Sequence, residues 1–246
     1  MFPEVTLRHD PPRLAVVVAH PDDETFGCGS LLLAAAASGW RSAVVCASRG
    51  EAGEADPGTD LSSCSLGDVR EAELREAAGR LGVADVVLLG YADSGMEGAP
   101  PAGSVVGAND AELAESVRRA VTTVEPDVLV TLDGSDGHRD HLAVRDAAVQ
   151  VARELAIPAF LQCLVRSLMD RWAEHMSEIE PDLVYLRAAE LGTPDDRITL
   201  TIDTADLYDA RLRAMAAHAS QTSPYAALPE DLRRAFLTRE HLQRVG

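Results

Sequence analysis

The stretch that most constrains the fold lies near the amino terminus, at residues 14–30, and reads LAVVVAHPDDETFGCGS. Its first six residues are apolar without alternation, which is typical of a strand buried on both faces of a parallel sheet. A polar cluster from His20 to Glu24 follows at once, before a glycine-rich helix start. Because open α/β sheets bind their ligands beyond the carboxyl ends of the strands, this cluster predicts a functional site.

The rest of the chain alternates segments of strand character with segments of helical spacing. Strands are predicted at residues 42–46, 85–89, 127–132 and 159–165. Helices are predicted at residues 25–38, 68–81, from Asn109 to just before Pro126, and at 142–156. The alternation predicts a doubly wound, mostly parallel Rossmann-like sheet with helices on both faces.

The carboxyl-terminal third is less regular. We predict helices at 168–179, 205–219 and 231–244, and a strand at 198–202. No linker, repeat or low-complexity tract divides the chain. We therefore predict one domain over residues 1–246, with a core at 14–165 and an extension at 166–246.

The charge balance limits the partners. The chain has 22 basic and 40 acidic residues and a formal net charge of −18, which disfavours nucleic acid and anionic membranes. Its four cysteines form no C-x-x-C pair, as expected of reduced thiols in a cytoplasmic protein. Neither a signal-peptide pattern nor a long apolar span is present, so we expect a cytoplasmic location; a homo-oligomer is compatible with the sequence.

A second polar cluster, DGSDGHRDH at residues 133–141, follows the fourth predicted strand. In a doubly wound sheet that strand can neighbour the first, which would bring His141 near His20 and Asp23. Two histidines and one carboxylate with an open position are the ligand set of catalytic zinc sites. Asp22 beside them would be free to act on water.

Each cluster also has a purely structural interpretation, because carboxylates are stabilised in the first turn of any helix and can cap it. The occurrence of both clusters at strand ends favours a site. Two long loops, at residues 48–66 and 90–108, also follow predicted strands. Loops of this length in compact domains are often functional.

Five motifs together resemble a known family. A-H-P-D-D-E at residues 19–24 and G-H-R-D-H at 137–141 are similar to the paired signatures of the LmbE-like/PIG-L family of zinc-dependent N-deacetylases. The resemblance continues in R-G-E at 49–51, GYADSGM at 90–96 and HASQ at 218–221. It therefore extends over most of residues 14–221.

The resemblance implies a role for each matching residue. The metal ligands would be His20, Asp23 and His141. The catalytic residues would be Asp22 as the base and His138 as a support of the transition state. For the mechanism, we expect His138 to act in protonated form and Asp140 to orient a neighbouring histidine. The substrate would be held by Arg49, Glu51 and Asp93.

The activity that the resemblance implies is hydrolysis of an amide by zinc-bound water. The enzyme would remove an N-acetyl or other N-acyl group from a small molecule that contains an amino sugar. One Zn²⁺ ion is the implied cofactor, and Fe²⁺ or another divalent metal is compatible with the same ligands. Amidases of thiol S-conjugates and deacylases of glycosylated natural products are alternatives within the hydrolases, and a non-catalytic metal- or sugar-binding module is an alternative outside them.

Two residues depart from the family pattern. Arg139 replaces a proline that many relatives have in the second motif, and we expect it to bring a cation near the site. Asp136 stands where some sugar deacetylases have a tyrosine. Other enzyme classes fit less well, because Leu32 occupies the third glycine position of a dinucleotide-binding motif and no G-x-S-x-G motif occurs.

Overall fold

The computed structural model describes residues 1–187 and 190–245. Its strands are β1 (Arg13–Val18), β2 (Arg41–Cys46), β3 (Asp85–Leu88), β4 (Val128–Leu132), β5 (Ala159–Gln162), β6 (Leu200–Asp203) and β7 (Arg239–Val245). They form one sheet in the order β3-β2-β1-β4-β5-β7-β6. The first five strands are parallel, and β7 alone runs antiparallel to both of its neighbours, β5 and β6, so the prediction of a doubly wound, mostly parallel sheet is confirmed.

Helices cover both faces of the sheet. They are α1 (Asp23–Phe26), α2 (Gly29–Ala37), α3 (Leu66–Leu81), α4 (Asp110–Val124), α5 (Arg139–Glu154), α6 (Arg166–Ile179), α7 (Tyr208–Met215) and α8 (Glu230–Leu237). Short 3₁₀ helices lie at Val184–Arg187, Asp195–Arg197 and Ala205–Leu207. None of the helices within the described ranges combines the length and apolar character needed to span a bilayer.

Strand β1 lies at the centre of the core. Alternate residues of β1 pack into different hydrophobic clusters, with Val16 in one and Val17 in the other. Both side chains are fully buried, which explains the unbroken apolar run in the sequence. Strand β4 pairs directly with β1, with Leu14 opposite Val128. The segments that follow the two strands therefore leave the same edge of the sheet, as the sequence predicted.

The predicted helix at residues 25–38 is in fact two helices, α1 and α2, with a break at Gly27. A Cβ atom at Gly27 would lie 2.6 Å from the Leu132 side chain and 2.9 Å from the Asp23 carbonyl oxygen, so no larger residue fits there. The break leaves carbonyl groups at the end of α1 without a helical partner. The Arg211 guanidinium donates to one of them, the Phe26 carbonyl oxygen, at 2.6 Å. The sequence prediction was wrong here because this contact comes from a distant segment.

The predicted final helix at residues 231–244 is also wrong, since α8 ends at Leu237 and β7 follows. Strand β7 inserts between β5 and β6, antiparallel to both. Its sequence, REHLQRV, is too polar to indicate a strand, but Glu240 and Leu242 alternate with more exposed neighbours and are fully buried. The predicted helix at 205–219 is likewise shorter, because α7 ends at Met215.

A buried ion pair joins this carboxyl-terminal part to α2. Arg211 Nη1 lies 3.1 Å from Glu240 Oε1, and both side chains are only 1% exposed. The same Glu240 oxygen accepts the backbone N–H groups of Ser30 and Leu31 at the start of α2. The carboxyl-terminal strands thus share the sheet and the contacts of the core, while the assignment of one domain over the whole chain stays a prediction.

We expect Glu240→Ala to destabilise the protein strongly. The substitution leaves the Arg211 charge buried without its carboxylate, which costs about 3–5 kcal/mol when one partner of a buried pair is removed. The control is Glu4→Ala, since Glu4 pairs with Arg244 at the surface and is 82% exposed. Exposed pairs contribute less than about 1 kcal/mol. Urea unfolding of the two variants measures the difference; equal midpoints would contradict the structural role given to the buried pair.

Candidate active site

The two polar clusters meet at the carboxyl edge of the sheet. Asp23 lies in α1, directly after β1, and His141 lies in the first turn of α5, after β4. Asp23 Oδ1 is 3.2 Å from His141 Nε2, and Asp23 Oδ2 is 3.8 Å from His20 Nδ1. All three side chains are at least nine-tenths buried. The three residues predicted as metal ligands are therefore in contact.

Hydrogen bonds orient the two rings so that one nitrogen of each faces Asp23. His141 Nδ1 lies 2.7 Å from Asp136 Oδ2, and His20 Nε2 lies 3.2 Å from Asp140 Oδ2. Because ionised carboxylates only accept, these two nitrogens carry the hydrogens when the rings are neutral. The lone pairs are then left on His141 Nε2 and His20 Nδ1.

The facing groups need a cation. A neutral His141 presents the Nε2 lone pair to a carboxylate oxygen 3.2 Å away, and this buried nitrogen has no hydrogen-bond partner within the described part of the chain. Without an ion, protonation of His141 would supply the positive charge. Burial lowers the His141 pKa, but the carboxylates of Asp23 and Asp136 raise it well above its usual value. A divalent metal would satisfy both groups instead, so the residues fit a metal centre.

His138 is a third histidine whose ring lies close to those of His20 and His141. Ring nitrogens of His20, His138 and His141 lie within 4.8 Å of one another. His138 is also the N-cap of α5, because its Nδ1 accepts the backbone N–H of Asp140 at 3.2 Å. The remaining ring nitrogen, Nε2, then carries the hydrogen of the neutral ring. Burial and the two neighbouring histidines lower the His138 pKa to about 4, which argues against the protonated form expected from the sequence.

Asp22, directly before the predicted ligand Asp23, has an unusual backbone conformation. Its φ of 108° is rare for a residue other than glycine and is a form of strain found at functional sites. The Arg70 guanidinium holds Asp22 by donating to its Oδ2 at 2.9 Å and to the Pro21 carbonyl oxygen at 2.6 Å. Burial raises the pKa of Asp22 to about 6, and Arg70 opposes this rise.

Asp93 and Asp140 approach the opposite nitrogen of His20. Asp93 Oδ1 lies 3.5 Å and Asp140 Oδ2 lies 3.2 Å from His20 Nε2. Although burial lowers the His20 pKa, hydrogen bonds to these two carboxylates raise it to about 9. Asp140 also accepts the backbone N–H of Ser94, so it links the loop after β3 to the first cluster. Its second oxygen, Oδ1, is buried without a hydrogen-bond partner among the described residues.

The other two predicted substrate residues lie farther out. Glu51 Oε1 accepts the backbone N–H of Asp93 at 3.3 Å, so the loop after β2 contacts the loop after β3. Arg49 is half exposed, and it pairs with Asp68 and Glu71 of α3. The contacts of Arg49 are thus those of a surface charge, and its role toward a substrate stays a prediction.

The two departures from the family pattern have structural roles. The Arg139 cation, which the sequence predicts near the site, lies against the loop after β3, where its guanidinium donates to the carbonyl oxygens of Ser94, Gly95, Glu97 and Gly98. It thereby holds the loop that carries Asp93. Asp136 orients His141, as carboxylates commonly do for metal-binding histidines.

Sequence reasoning missed several of these neighbours. Arg70 lies 48 residues from Asp22, inside an ordinary helical pattern, so no local signal marks it. Asp136 was noticed only as a departure, although a carboxylate near a ligand histidine is itself a signal. Tyr185 was missed too; burial raises its pKa, and so do the nearby carboxylates of Asp136 and Asp22.

Comparison with known proteins identifies the family of this chain. Residues 15–152 match the family model described as GlcNAc-PI de-N-acetylase, PIG-L. A curated relative from Actinosynnema mirum, a 1D-myo-inositol 2-acetamido-2-deoxy-alpha-D-glucopyranoside deacetylase, is 34% identical over 259 residues, which cover 94% of this chain and 91% of the relative.

Solved structures share the fold at lower identity. The A40926 pseudoaglycone deacetylase Dbv21 is 19% identical, with a TM-score of 0.65 over 94% of this chain and 96% of its own. The 4-carboxy-2-hydroxymuconate hydratase GalB from Pseudomonas putida KT2440 is 18% identical, with a TM-score of 0.62 over 96% of each chain. Since one of these proteins is a hydratase, the fold alone does not determine the reaction. The family model and the curated relative show that this chain belongs to the PIG-L family of GlcNAc-PI de-N-acetylases.

Proposed function

We propose that the protein is a metal-dependent N-deacetylase that acts on a small molecule containing an N-acetylated amino sugar. The observation that carries the proposal is the contact among the predicted metal ligands His20, Asp23 and His141, with the Asp22 carboxylate, which Arg70 holds, directly before Asp23 in the chain. The curated relative that is 34% identical is named for deacetylation of an N-acetylglucosaminyl inositol, which gives the substrate class. Zinc is the proposed ion, because two histidines and one carboxylate are typical ligands of catalytic zinc.

The bound ion would act as a Lewis acid that activates a water molecule and polarises the amide carbonyl. Asp22 accepts a proton from this water while the water oxygen forms a bond to the carbonyl carbon. Its raised pKa of about 6 makes it a better proton acceptor than an ordinary aspartate and leaves it ionised at neutral pH. The Arg70 guanidinium keeps the carboxylate in place during this transfer.

His138 supports the other side of the reaction. In its neutral form it offers the Nε2 hydrogen to the negatively charged oxygen of the tetrahedral intermediate. When the carbon–nitrogen bond breaks, Asp22 returns the proton to the leaving nitrogen. The products are acetate and a free amine, so the atoms of the amide and of one water molecule are all accounted for.

A screen for released amine tests the reaction class. We expect the zinc-loaded protein to release amine and acetate from 1D-myo-inositol 2-acetamido-2-deoxy-alpha-D-glucopyranoside or from N-acetylglucosamine, and to lose this activity with a chelator. Adding zinc or iron(II) should restore it. Fluorescamine detection of the amine and an acetate assay provide two readouts. Failure to release amine from any N-acetylglucosaminyl compound, with metal bound, would contradict the proposal.

Substitutions separate the ligands from the base. Asp22→Asn should keep one zinc ion per chain and lower kcat by about 10²- to 10⁴-fold, the usual contribution of a general base. Asp23→Ala and His141→Ala should lose the ion itself. His138→Ala should keep the ion and lose turnover. Elemental analysis after dialysis measures the metal content, with His175→Ala as a control away from the site; metal loss in His138→Ala with retention in Asp23→Ala would point to the three-histidine set instead.

Arg139 is expected to affect substrate binding through the loop that it holds. Arg139→Ala removes the hydrogen bonds to four carbonyl groups of residues 94–98, so Asp93 loses its fixed position. We expect KM to rise about tenfold with a smaller change in kcat, because misplacement of a binding group weakens the complex. Arg118→Ala, which removes surface pairs with Glu115 and Glu154, is the control. An unchanged KM in Arg139→Ala would show that this loop does not contribute to substrate binding.

A further inference from the structure

A buried histidine from the carboxyl-terminal part contacts the segment that carries Asp22. His218, the first residue of the HASQ motif, has a fully buried side chain whose Nε2 lies 2.5 Å from Glu24 Oε1. Because an ionised carboxylate only accepts, this nitrogen carries the hydrogen. The mechanism proposed above uses neither residue.

The second oxygen of Glu24 holds the backbone of Asp22. Glu24 Oε2 accepts the Asp22 N–H at 2.9 Å, on one side of the strained φ angle of 108°. On the other side, the Asp22 carbonyl oxygen accepts the backbone N–H groups of Thr25 and Phe26 at 2.9 and 2.8 Å. The two peptide groups that flank the strained residue are therefore both fixed. Strain of this kind persists only where surrounding contacts hold it.

His218 is itself held firmly in place. Two residues further on, Ser220 donates its backbone N–H and its hydroxyl group to the Glu73 carboxylate of α3, at 2.8 and 2.6 Å. The Ser220 carbonyl oxygen accepts the backbone N–H of Asp56 in the loop after β2. The Phe26 ring lies 6.0 Å from the His218 ring. The donor that faces Glu24 thus sits on a segment anchored to α3 and to a long loop.

We propose that His218 and Glu24 are positioning residues, which form a hydrogen-bond chain that holds Asp22 in its positive-φ conformation. The chain runs from His218 Nε2–H to one Glu24 oxygen, and from the other Glu24 oxygen to the Asp22 N–H. By fixing this backbone conformation, it sets the position of the Asp22 carboxylate, the proposed base. This inference rests on the proposed function, in which Asp22 is the base.

A packing role and a positioning role require different chemistry at residue 218. Filling the core requires an apolar or neutral side chain of similar volume, which leucine supplies. Orienting Glu24 requires a hydrogen-bond donor at the position of Nε2, which glutamine supplies and leucine does not. Glu24 has a matching requirement, because only a side chain of its length reaches both His218 and the Asp22 N–H.

The test compares kcat per folded, zinc-loaded chain in four variants. We expect His218→Leu and Glu24→Asp to lower kcat by about 10- to 100-fold, the effect of misplacing a catalytic group by about 1 Å, with KM and zinc content within about twofold of wild type. His218→Gln should recover most of the activity. His175→Leu, which removes a hydrogen bond to the Ala227 carbonyl oxygen at the surface, should leave kcat unchanged.

Crystal structures of the variants give a second readout that does not depend on activity. In His218→Leu and Glu24→Asp, the Asp22 φ angle should relax to a negative value. Wild-type kcat in both variants, with φ unchanged, would overturn the inference. If His218→Leu does not fold, Glu24→Asp keeps the buried charge and decides the question.

Asp22→Asn in the same assay separates the two proposals. An inactive Asp22→Asn together with active His218→Leu and Glu24→Asp overturns the positioning role alone. An active Asp22→Asn overturns the proposed role of Asp22 as the base. The hydrogen-bond chain from His218 to Asp22 then has no catalytic significance.

Discussion

The contact between the Asp23 carboxylate and the His141 imidazole organises the site. Their facing atoms are 3.2 Å apart and buried, so a positive charge must lie between or on them. This contact exists because β1 and β4 are parallel neighbours, so the segments that follow the two strands begin at the same edge of the sheet. The outer partners, Asp136 and Asp140, then determine which ring nitrogens face the centre.

Asp22 is held by groups from three separate parts of the chain. Arg70 of α3 contacts its carboxylate, Glu24 of α1 contacts its backbone N–H, and His218 contacts Glu24 from beyond α7. A strained residue costs free energy in the folded state and needs such support. The carboxyl-terminal part of the chain, which lies beyond the residues 15–152 that the family model matches, therefore takes part in the architecture of the site.

Much of the site could be predicted from the sequence, because its chemistry is local. The residues from His20 to Glu24 and from His138 to His141 are contiguous motifs at strand ends, and a doubly wound sheet can place the fourth strand beside the first. The contacts that come from distant segments could not be predicted. Arg211 explains the break at Gly27, and the buried Glu240 explains why a polar segment forms β7, but neither pairing leaves a periodic signal. The partners of Arg139 could not be predicted either, because they are backbone carbonyl groups of a loop more than 40 residues away.

The metal centre can be tested with crystals of the protein grown with Zn²⁺ and diffraction data recorded at the zinc absorption edge. We expect one anomalous peak between Asp23 and His141, with His20 Nδ1 and His141 Nε2 at about 2.0–2.1 Å and an Asp23 oxygen at about 2.0–2.2 Å from the ion. His138 should remain outside the coordination sphere, with its Nδ1 still accepting the Asp140 N–H. A zinc ion bound by His20, His138 and His141 without Asp23, or no ion at this edge of the sheet, would contradict a metal centre formed by His20, Asp23 and His141.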